Sequence, residues 1–336
     1  EPMSDLRFAI IGSGKIAPRH AAEAVKRGRL VAVCDIVPER ADQLARDFGC
    51  TAFYDIDSMF SGAQPIDVVA VCTPNGLHAA HAIQALEAGS HVLCEKPLSI
   101  DSGDAKRMME TAARTRRKLF VVKSTRYNPA IIALKKALDQ NLLGKIYSFQ
   151  LNCFWNRPAA YYAGSWKGKE LDGGSLFTQF SHYIDALLWL LGDLKTVTGF
   201  RKNMAHKDSV MQEDGGVVSV EMQHAVTGGI NWAVNAYREN MEVSLTLLAE
   251  HATIELGGAY MNELKYLKSD LFTLDIPAAG TANDYVFYKG SMSNHDKVYE
   301  NLLMALADEQ HPFTSAEDGL RTVEAIEKIY HSVLLS

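Results

Sequence analysis

A lysine closely follows a short apolar run in the first third of the chain. The run extends from His91 to Cys94, and Lys96 stands just beyond it in the sequence CEKPL. At the carboxyl edge of a buried strand, an ammonium group could hold a substrate hydroxyl. With its pKa lowered by partial burial, it could also accept the hydroxyl proton as a hydride departs. The alternative is a surface lysine whose side chain reaches solvent past Glu95.

A glycine-rich loop lies upstream of this lysine. In FAIIGSGKIAPRH, Gly12, Gly14 and Ala17 follow the first apolar run and open a helical pattern, with Lys15 and Ile16 between them. Small residues let the backbone approach a pyrophosphate at the positive end of a helix, which predicts a dinucleotide site. A tight turn between strand and helix would need the same glycines.

An acidic residue ends the second apolar run. Asp35 could accept hydrogen bonds from a ribose 2′-hydroxyl and would repel a 2′-phosphate, so NAD is predicted rather than NADP. In CTPNGLHAAHA, His78 and His81 have the spacing of a metal pair, but no third ligand is placed and no metal is predicted. The remaining predicted cofactor contacts are Thr73, Asn75, His78, Glu95 and Lys96.

Apolar runs alternate with helical patterns over the first hundred and twenty residues. The predicted strands are 7–12, 30–35, 67–72, 91–95 and 119–122. Because these runs suit strands buried on both faces, the alternation predicts a doubly wound parallel sheet of the Rossmann type.

The pattern changes to β-rich segments after about residue 144. EMQHAVTGGINWAV predicts a hairpin that turns at Thr227 and the two glycines. We therefore expect α/β plus α+β architecture, with a mostly antiparallel open sheet in the second domain. The predicted domains are 1–123 and 124–336, and the helical patterns at 296–308 and 316–335 could pack back on the first.

Composition narrows the class of protein. The chain has 336 residues, of which 47% are hydrophobic, and a net charge of −6, which argues against nucleic acid as a partner. No run of eighteen apolar residues predicts a membrane span. The five cysteines form no CxxC pair, which favours reduced thiols in the cytoplasm. Exposed sheet edges favour self-association as a homodimer or homotetramer.

The glycine loop, TPNGLH and CEKP together resemble the glucose-fructose oxidoreductase/inositol dehydrogenase/rhizopine catabolism (Gfo/Idh/MocA) family. The resemblance covers the predicted N-terminal domain, and the β-rich half fits the family's substrate domain, whose open sheet commonly serves oligomerisation. It implies that Lys96 is catalytic or orients the substrate, and that Pro97 is often cis.

A second signature, LDGGSLFTQFSHYIDALLWL, also resembles this family. It implies that His182 is the general acid/base or a ligand of the substrate hydroxyl facing Lys96, and it matches Asp185 to the acid that follows. The chain departs from the family at Thr178, where an aspartate is usual, and at Phe180, where a glycine is usual. The resemblance therefore implies proton transfer by Lys96 and His182 without an Asp-His pair.

Three further stretches, STRYNPAI, WNRPAAYYAGSWKG and MSNHDKVYENL, resemble nucleotide-sugar 3-dehydrogenases that oxidise UDP-N-acetylglucosaminuronate in bacterial surface-polysaccharide pathways. A diphosphate and a carboxylate require cations, which Arg126, Arg157 and Lys167 could supply. Each of these residues also has a structural alternative, such as backbone capping or interface packing. The predicted substrate contacts are Arg126, Tyr127, Asn128, Arg157, Tyr162, Trp166, Thr178, Gln179, Asn294 and His295.

The predicted function is NAD-dependent oxidation of the C3 hydroxyl of a UDP-N-acetylhexosaminuronate. One alternative is a dehydrogenase of a free sugar or inositol on the same scaffold, which would need fewer cations. The other is a non-catalytic protein that senses dinucleotides, against which the presence of both Lys96 and His182 argues.

Overall fold

The computed structural model describes residues 5–62, 64–277, 280–285 and 288–336, and the chain divides into two compact units. The first unit contains Glu1–Val122 and His295–Val323, and the second contains Lys123–Asn294 and Glu324–Ser336. The second unit is thus not one continuous stretch from residue 124, because 295–323 belongs to the first.

The first unit contains a six-stranded sheet in which every pairing is parallel, in the order β3-β2-β1-β4-β5-β6. Its strands are β1 (Arg7–Ile11), β2 (Arg29–Cys34), β3 (Thr51–Phe53), β4 (Val68–Val71), β5 (His91–Cys94) and β6 (Leu119–Val121). The helices between them are α1 (Ala17–Arg27), α2 (Pro38–Phe48), α3 (Ile56–Gly62), α4 (His78–Glu87) and α5 (Ser102–Thr115). The predicted doubly wound sheet is confirmed.

Local sequence explains these elements. All four residues of β4 are buried, as expected for a central parallel strand covered on both faces. Helix α2 begins at Pro38 and ends at Gly49, whose φ of 70° is left-handed. The strand order reverses between β1 and β4, so the loops after these two strands flank the crevice where open α/β sheets bind ligands. The short edge strand β3 was not predicted, because its three residues are exposed or half-buried and form no apolar run.

The second unit is built on a seven-stranded sheet in the order β13-β12-β11-β7-β10-β9-β8. Its strands are β7 (Ile146–Phe154), β8 (Leu194–Lys202), β9 (Gly215–Met222), β10 (Thr227–Ala233), β11 (Glu242–Ala249), β12 (Thr253–Gly257) and β13 (Glu263–Lys268). Strands β7 and β10 are parallel and the other paired strands of this sheet are antiparallel, which confirms the mostly antiparallel prediction.

The remaining elements are shorter or lie towards the end of the chain. They are α6 (Pro129–Asp139), α7 (Ala159–Tyr162), α8 (Ser175–Thr178), α9 (Ser181–Leu191), β14 (Ala282–Asp284), β15 (Lys289–Met292), α10 (His295–Ala307) and α11 (Ala316–Ser332). Within the described ranges, no helix is long and apolar enough to cross a membrane.

The predicted hairpin is present, but its turn lies elsewhere. Strands β9 and β10 pair antiparallel, and the chain reverses at residues 223–226, where Ala225 has a φ of 63°. Gly228 and Gly229 lie inside β10. A Cβ on Gly228 would lie 2.2 Å from the carbonyl oxygen of Phe149, so this glycine permits close strand approach rather than a turn.

The two faces of this sheet differ. On β7, Phe149, Leu151 and Cys153 are buried, and the alternating residues Ser148, Gln150 and Asn152 are only half-buried. At one edge of the same sheet, Phe200 on β8 is paired with Val217 on β9, and both side chains are exposed. The sheet therefore has one core face and one face open to solvent.

Candidate functional site

The glycine loop has the backbone geometry of a phosphate site. Gly12 has a φ of 93°, and a Cβ there would lie 2.7 Å from the backbone of Cys72, so only glycine fits. A Cβ on Gly14 would meet no atom within 4 Å, so open space lies before this residue. Lys15 and Ile16 lead directly into α1, whose N-terminus favours an anion.

Ser13 is a residue of this loop that the sequence prediction missed. Its hydroxyl oxygen is buried and has no hydrogen-bond partner in the described part of the chain. A buried hydroxyl without a partner costs free energy unless a ligand or water satisfies it. Gly14 and Ser13 thus provide the space and the unsatisfied polar atom that a dinucleotide phosphate would fill.

Asp35, which directly follows β2, anchors the glycine loop by hydrogen bonds. Its carboxylate accepts hydrogen bonds from the backbone N–H groups of Ser13 and Val37, each at 2.8 Å. Lone pairs remain on both oxygens, so the same carboxylate can accept a ribose hydroxyl. Asp35 therefore shapes the loop, and the ribose contact predicted for it stays a prediction.

His78 links the loops after β4 and β5. Its Nδ1 lies 2.6 Å from the carbonyl oxygen of Pro97, and its Nε2 lies 2.8 Å from that of Thr73. Burial lowers the pKa of His78, so the neutral ring donates to one of these carbonyls at a time. Asn75 is buried in the turn that joins the Thr73 loop to α4. The role of His78 in the structure is thus to hold together the loop that carries Lys96 and the loop that carries Thr73.

Lys96 precedes a cis peptide bond, as the resemblance implied for Pro97. The backbone N–H of Lys96 donates to the carboxylate of Glu95 at 3.1 Å. The lysine therefore lies two residues after β5, and the carboxylate of the buried Glu95 binds its backbone N–H.

Glu95 is the centre of a buried hydrogen-bond network. One of its oxygens accepts from His20 at 2.8 Å and from His295 at 3.0 Å, and His20 also bonds to the Tyr299 hydroxyl at 2.9 Å. Burial raises the pKa of Glu95, but the hydrogen bonds from the two histidines outweigh it and lower the pKa well below the usual range. Burial also lowers the pKa of His20. The network is thus an ionised carboxylate that accepts hydrogen bonds from two imidazoles.

His20, Glu95 and His295 also have three ligand atoms within 4.8 Å of one another. The Tyr299 hydroxyl and the carboxylate account for the hydrogen bonds of His20, so this cluster is explained without a metal. The predicted absence of a metal stays a prediction. The contacts predicted for Glu95 with cofactor and for His295 with substrate also stay predictions.

In the second unit, His182 is buried on α9. Asp185, one turn later, accepts from Lys123 at 2.9 Å and from two nitrogens of Arg126 at 2.8 Å each. Burial raises the pKa of Asp185, but the two cations outweigh burial and lower it. Arg126 is therefore committed to a carboxylate, and it also stacks on Trp189, with 5.1 Å to the ring centroid. Lys123 was missed, because nothing in its local sequence indicates that partner.

Thr178 replaces the aspartate usual in the resembling family, but its hydroxyl donates to the carboxylate of Asp172. The backbone N–H groups of Gly168 and Gly174 bind the same carboxylate. Burial raises the pKa of Asp172 to about 6. A buried carboxyl with a raised pKa is thus hydrogen-bonded to Thr178, which the sequence did not reveal.

The other predicted substrate contacts lie in two groups of the second unit. Gln179 binds both Arg157, at 2.7 Å, and the Tyr161 hydroxyl, at 2.7 Å, and Tyr162 packs edge-on against Tyr161. Asn294 donates to Asn128 at 2.8 Å. Two further residues of the prediction, Tyr127 and Trp166, are half-buried. Lys96 belongs to the first unit and His182 to the second, so their pairing stays a prediction.

Comparison with known proteins shows which proteins the chain resembles. Residues 6–123 match the oxidoreductase family with an NAD-binding Rossmann fold, and residues 131–255 match the GFO/IDH/MocA C-terminal domain. The chain is similar to the WlbA dehydrogenase from Bordetella pertussis, solved in complex with NADH and UDP-GlcNAcA. The TM-score is 0.87 and the identity 31%, over 98% of this chain and 96% of that one.

Two curated relatives are named for other substrates. D-glucoside 3-dehydrogenase from Escherichia coli is 35% identical over 56% of this chain, and inositol 2-dehydrogenase from Rhizobium meliloti is 33% identical over 42%. The matches span 55% and 43% of those proteins, so the chain spans about half the length of the curated relatives it matches.

The chain belongs to the Gfo/Idh/MocA family of NAD-dependent oxidoreductases. The predicted family and the predicted cofactor, NAD, are both confirmed.

Proposed function

We propose that this protein oxidises the C3 hydroxyl of a UDP-N-acetylhexosaminuronate, giving a 3-keto sugar. The observation that supports this substrate most is the similarity to a WlbA dehydrogenase bound to NADH and UDP-GlcNAcA, which extends over 98% of the chain. The cations Arg157 and Lys167 are consistent with a substrate that carries a diphosphate and a carboxylate, whereas Arg126 already binds Asp185.

The residues of the first unit would hold the cofactor. The loop from Gly12 to Ile16 would receive the pyrophosphate, with the Ser13 hydroxyl as a donor, and Asp35 would accept the ribose hydroxyls. When bound, NAD accepts a hydride from the sugar carbon. His78 would keep the Lys96 loop against the Thr73 loop during the reaction.

Lys96 or His182 would accept the proton of the C3 hydroxyl. As the C3 carbon loses hydride, the oxygen must lose its proton to become a carbonyl, and one of these two side chains would accept that proton. Thr178 would accept a hydrogen bond from the sugar, because its own proton is donated to Asp172.

A second candidate is a dehydrogenase that acts at C3 of a free glucoside. It is favoured by the 35% identity to D-glucoside 3-dehydrogenase, although that match covers only 56% of this chain. Such an enzyme would not need the cations of the second unit.

We further propose that the protein acts in the cytoplasm, in the synthesis of surface-polysaccharide sugars, and forms a homodimer or homotetramer through its open sheet face. The exposed pair Phe200 and Val217 on that face is consistent with self-association.

The test is a reduction assay on purified protein containing NAD. UDP-N-acetylglucosaminuronate, UDP-N-acetylglucosamine, methyl glucoside and myo-inositol would be compared at the nicotinamide absorbance band, with and without 2-oxoglutarate as an acceptor. Reduction by the uronate, lost in Lys96→Ala, is the expected result. Reduction by glucoside or inositol with every UDP-sugar inactive would overturn the proposed substrate.

A further inference from the structure

Two side chains from distant parts of the chain cap the start of helix α8. The first N–H groups of a helix have no acceptor within it, so they need partners from elsewhere. The N–H of Ser175 donates to the carboxylate of Glu213 at 3.2 Å, across 38 residues of chain. The N–H of Leu176 donates to the hydroxyl of Tyr330 at 3.0 Å, across 154 residues. The position of α8 therefore depends on the loop before β9 and on α11.

The Tyr330 hydroxyl connects α8 to Glu213. Besides accepting from Leu176, it donates to the Glu213 carboxylate at 2.6 Å. Burial raises the pKa of Tyr330 well above its usual range, so the phenol keeps the proton that it donates. The ring lies directly against Gly174, where φ is 125° and a Cβ would be 2.9 Å from two ring carbons. Tyr330 thus contacts α8 by a hydrogen bond and also packs on the residue before it.

Glu213 is fully buried and is itself held by several donors. The oxygen that binds Tyr330 also accepts from the Ser175 hydroxyl and from the indole N–H of Trp232, the latter at 3.3 Å. Its other oxygen lies 3.3 Å from Nη1 of Arg201, whose Nε donates to the carbonyl oxygen of Val333 at 2.7 Å. A buried carboxylate that is satisfied in this way fixes the groups around it.

Helix α8 leads directly into the residues assigned to the substrate. Thr178 ends α8, Gln179 follows it, and His182 lies in the first turn of α9. The N–H of Gln179 donates to the carbonyl oxygen of Ser175 at 2.9 Å. A displacement of Ser175 would therefore be passed on to the residues after α8 through the backbone.

We propose that Tyr330 and Glu213 are positioning residues, which act on the substrate only through the helix that they cap. By fixing α8 they set the places of Thr178, Gln179 and His182. The inference rests on the proposed function, because that function assigns these three side chains to the sugar. Placement matters at this level, since a shift of about 1 Å caused far from the reacting atoms can lower a rate about a hundredfold.

The test compares two site variants with a control in the NAD-loaded protein. Tyr330→Phe removes one hydroxyl and keeps the ring, and Ser175→Ala removes a second hydroxyl that Glu213 binds. Lys328→Met is the matched control on the same helix, because it removes a hydrogen bond to the carbonyl oxygen of Leu194, outside α8. Circular dichroism and thermal unfolding would check that each variant is folded.

Two measurements are made on each variant. Hydrogen exchange of residues 174–182, followed by mass spectrometry without sugar, reports how firmly α8 is held. Steady-state oxidation of the compounds used in the reduction assay reports the reaction. Rates are expressed per bound NAD, which calorimetry measures, so that a smaller folded fraction is not mistaken for slower catalysis.

We expect Tyr330→Phe and Ser175→Ala to exchange several-fold faster in this segment, since each loses a hydrogen bond. Their kcat should fall about tenfold or more and their KM for the sugar should rise, while their affinity for NAD, held by the first unit, stays unchanged. Lys328→Met should match the wild type in each of these quantities. A loss of stability alone would lower the folded fraction without changing the KM for the sugar.

Exchange and kinetics in folded Tyr330→Phe and Ser175→Ala equal to those of Lys328→Met would overturn the inference. Faster exchange with unchanged kcat and sugar KM would overturn it as well, because α8 would then be fixed without consequence for the reaction. If the wild type oxidises glucoside or inositol and no UDP-sugar, the proposed substrate fails, and the same comparison on the active compound still decides the inference.

Discussion

The hydroxyl of Thr178 donates a hydrogen bond to the carboxylate of Asp172, six residues earlier in the chain. The proton of this hydroxyl is therefore committed, and its oxygen faces other groups only as an acceptor. A carboxylate is thereby brought next to position 178, where the resemblance to the family led us to expect an aspartate and the sequence has threonine. The consequences can be measured on Asp172 itself.

Thr178→Val should raise the pKa of Asp172 above its value of about 6, because the hydroxyl hydrogen bond favours the ionised carboxylate. Thr178→Ser keeps a hydroxyl and should leave the pKa nearly unchanged. Carboxyl ¹³C chemical shifts of labelled protein, followed against pH, report this titration. A midpoint in the valine variant equal to that of the wild type would contradict the hydrogen bond.

Asp172→Asn should change how stability depends on pH. The pKa of this carboxyl is higher in the folded protein than its usual 3.8, so ionisation costs the folded state free energy between about pH 4 and pH 6. As the pH rises from about 4 to about 6, the free energy of unfolding of the wild type should fall by about 3 kcal/mol relative to that of the asparagine variant. Denaturant unfolding at several pH values measures the difference. A constant difference across the interval would show that Asp172 titrates elsewhere.

Gly12→Ala and Gly14→Ala should both weaken NAD binding, for different reasons. At Gly12 the new Cβ would lie 2.7 Å from the Cys72 backbone, so the loop itself must shift and the protein should also lose stability. At Gly14 the Cβ meets no protein atom within 4 Å, so stability should be unchanged while affinity falls. Calorimetry with NAD and thermal unfolding of the free protein separate the two effects. Full NAD affinity in Gly14→Ala would place the phosphates elsewhere.

Glu95→Gln should destabilise the folded protein at neutral pH by about 3 kcal/mol, because it weakens hydrogen bonds from His20 and His295 to an ionised acceptor. The pKa of Glu95 is lowered in the folded state, so this stabilisation is present above the usual glutamate pKa and is lost as pH falls below it. The difference between wild type and variant should therefore shrink in acid.

Tyr299→Phe is the matched control for Glu95, since it removes the hydrogen bond that the Tyr299 hydroxyl donates to Nδ1 of His20 without removing a charge. It should cost only about 1 kcal/mol. Denaturant unfolding at pH 7 and pH 4 measures both variants. A Glu95→Gln protein as stable as the wild type at pH 7 would refute the network as a source of stability.

Asp185→Asn should be the most destabilising of these changes, at about 3–5 kcal/mol, because it leaves Lys123 and Arg126 buried without their carboxylate. Asp139→Asn is the comparison, since it removes an acid that pairs with Lys135 at the surface, and it should change stability little. Urea unfolding at pH 7 measures both. Equal effects would show that the buried ion pairs contribute no more than a surface pair.

Much of the first unit could be predicted from local sequence. Runs such as that of β4 are apolar because both faces of a central parallel strand are covered, and Gly49 ends α2 because its left-handed backbone suits glycine. The family follows from short motifs, including CEKP and the glycine loop. Each of these signals lies within a short segment of the chain, so a single sequence is enough to detect it.

The turn of the hairpin shows where local reasoning fails. Two adjacent glycines are a strong turn signal, but in this chain Gly228 lies in β10 because strand β7, far away in sequence, approaches its backbone. Ala225 accepts the left-handed conformation instead. Strand pairing in the sheet, and not the turn propensity of the glycines, determined which residues form the turn.

The sequence by itself determined the fold of the first unit, the cofactor and the candidate residues Lys96 and His182, because each depends on spacing within a short segment. The tertiary structure decided how the buried charges pair: His295 with Glu95, two hundred residues away, and Lys123 with Asp185. Such pairs form because a buried charge must find a partner wherever folding brings one, and no local pattern encodes that choice.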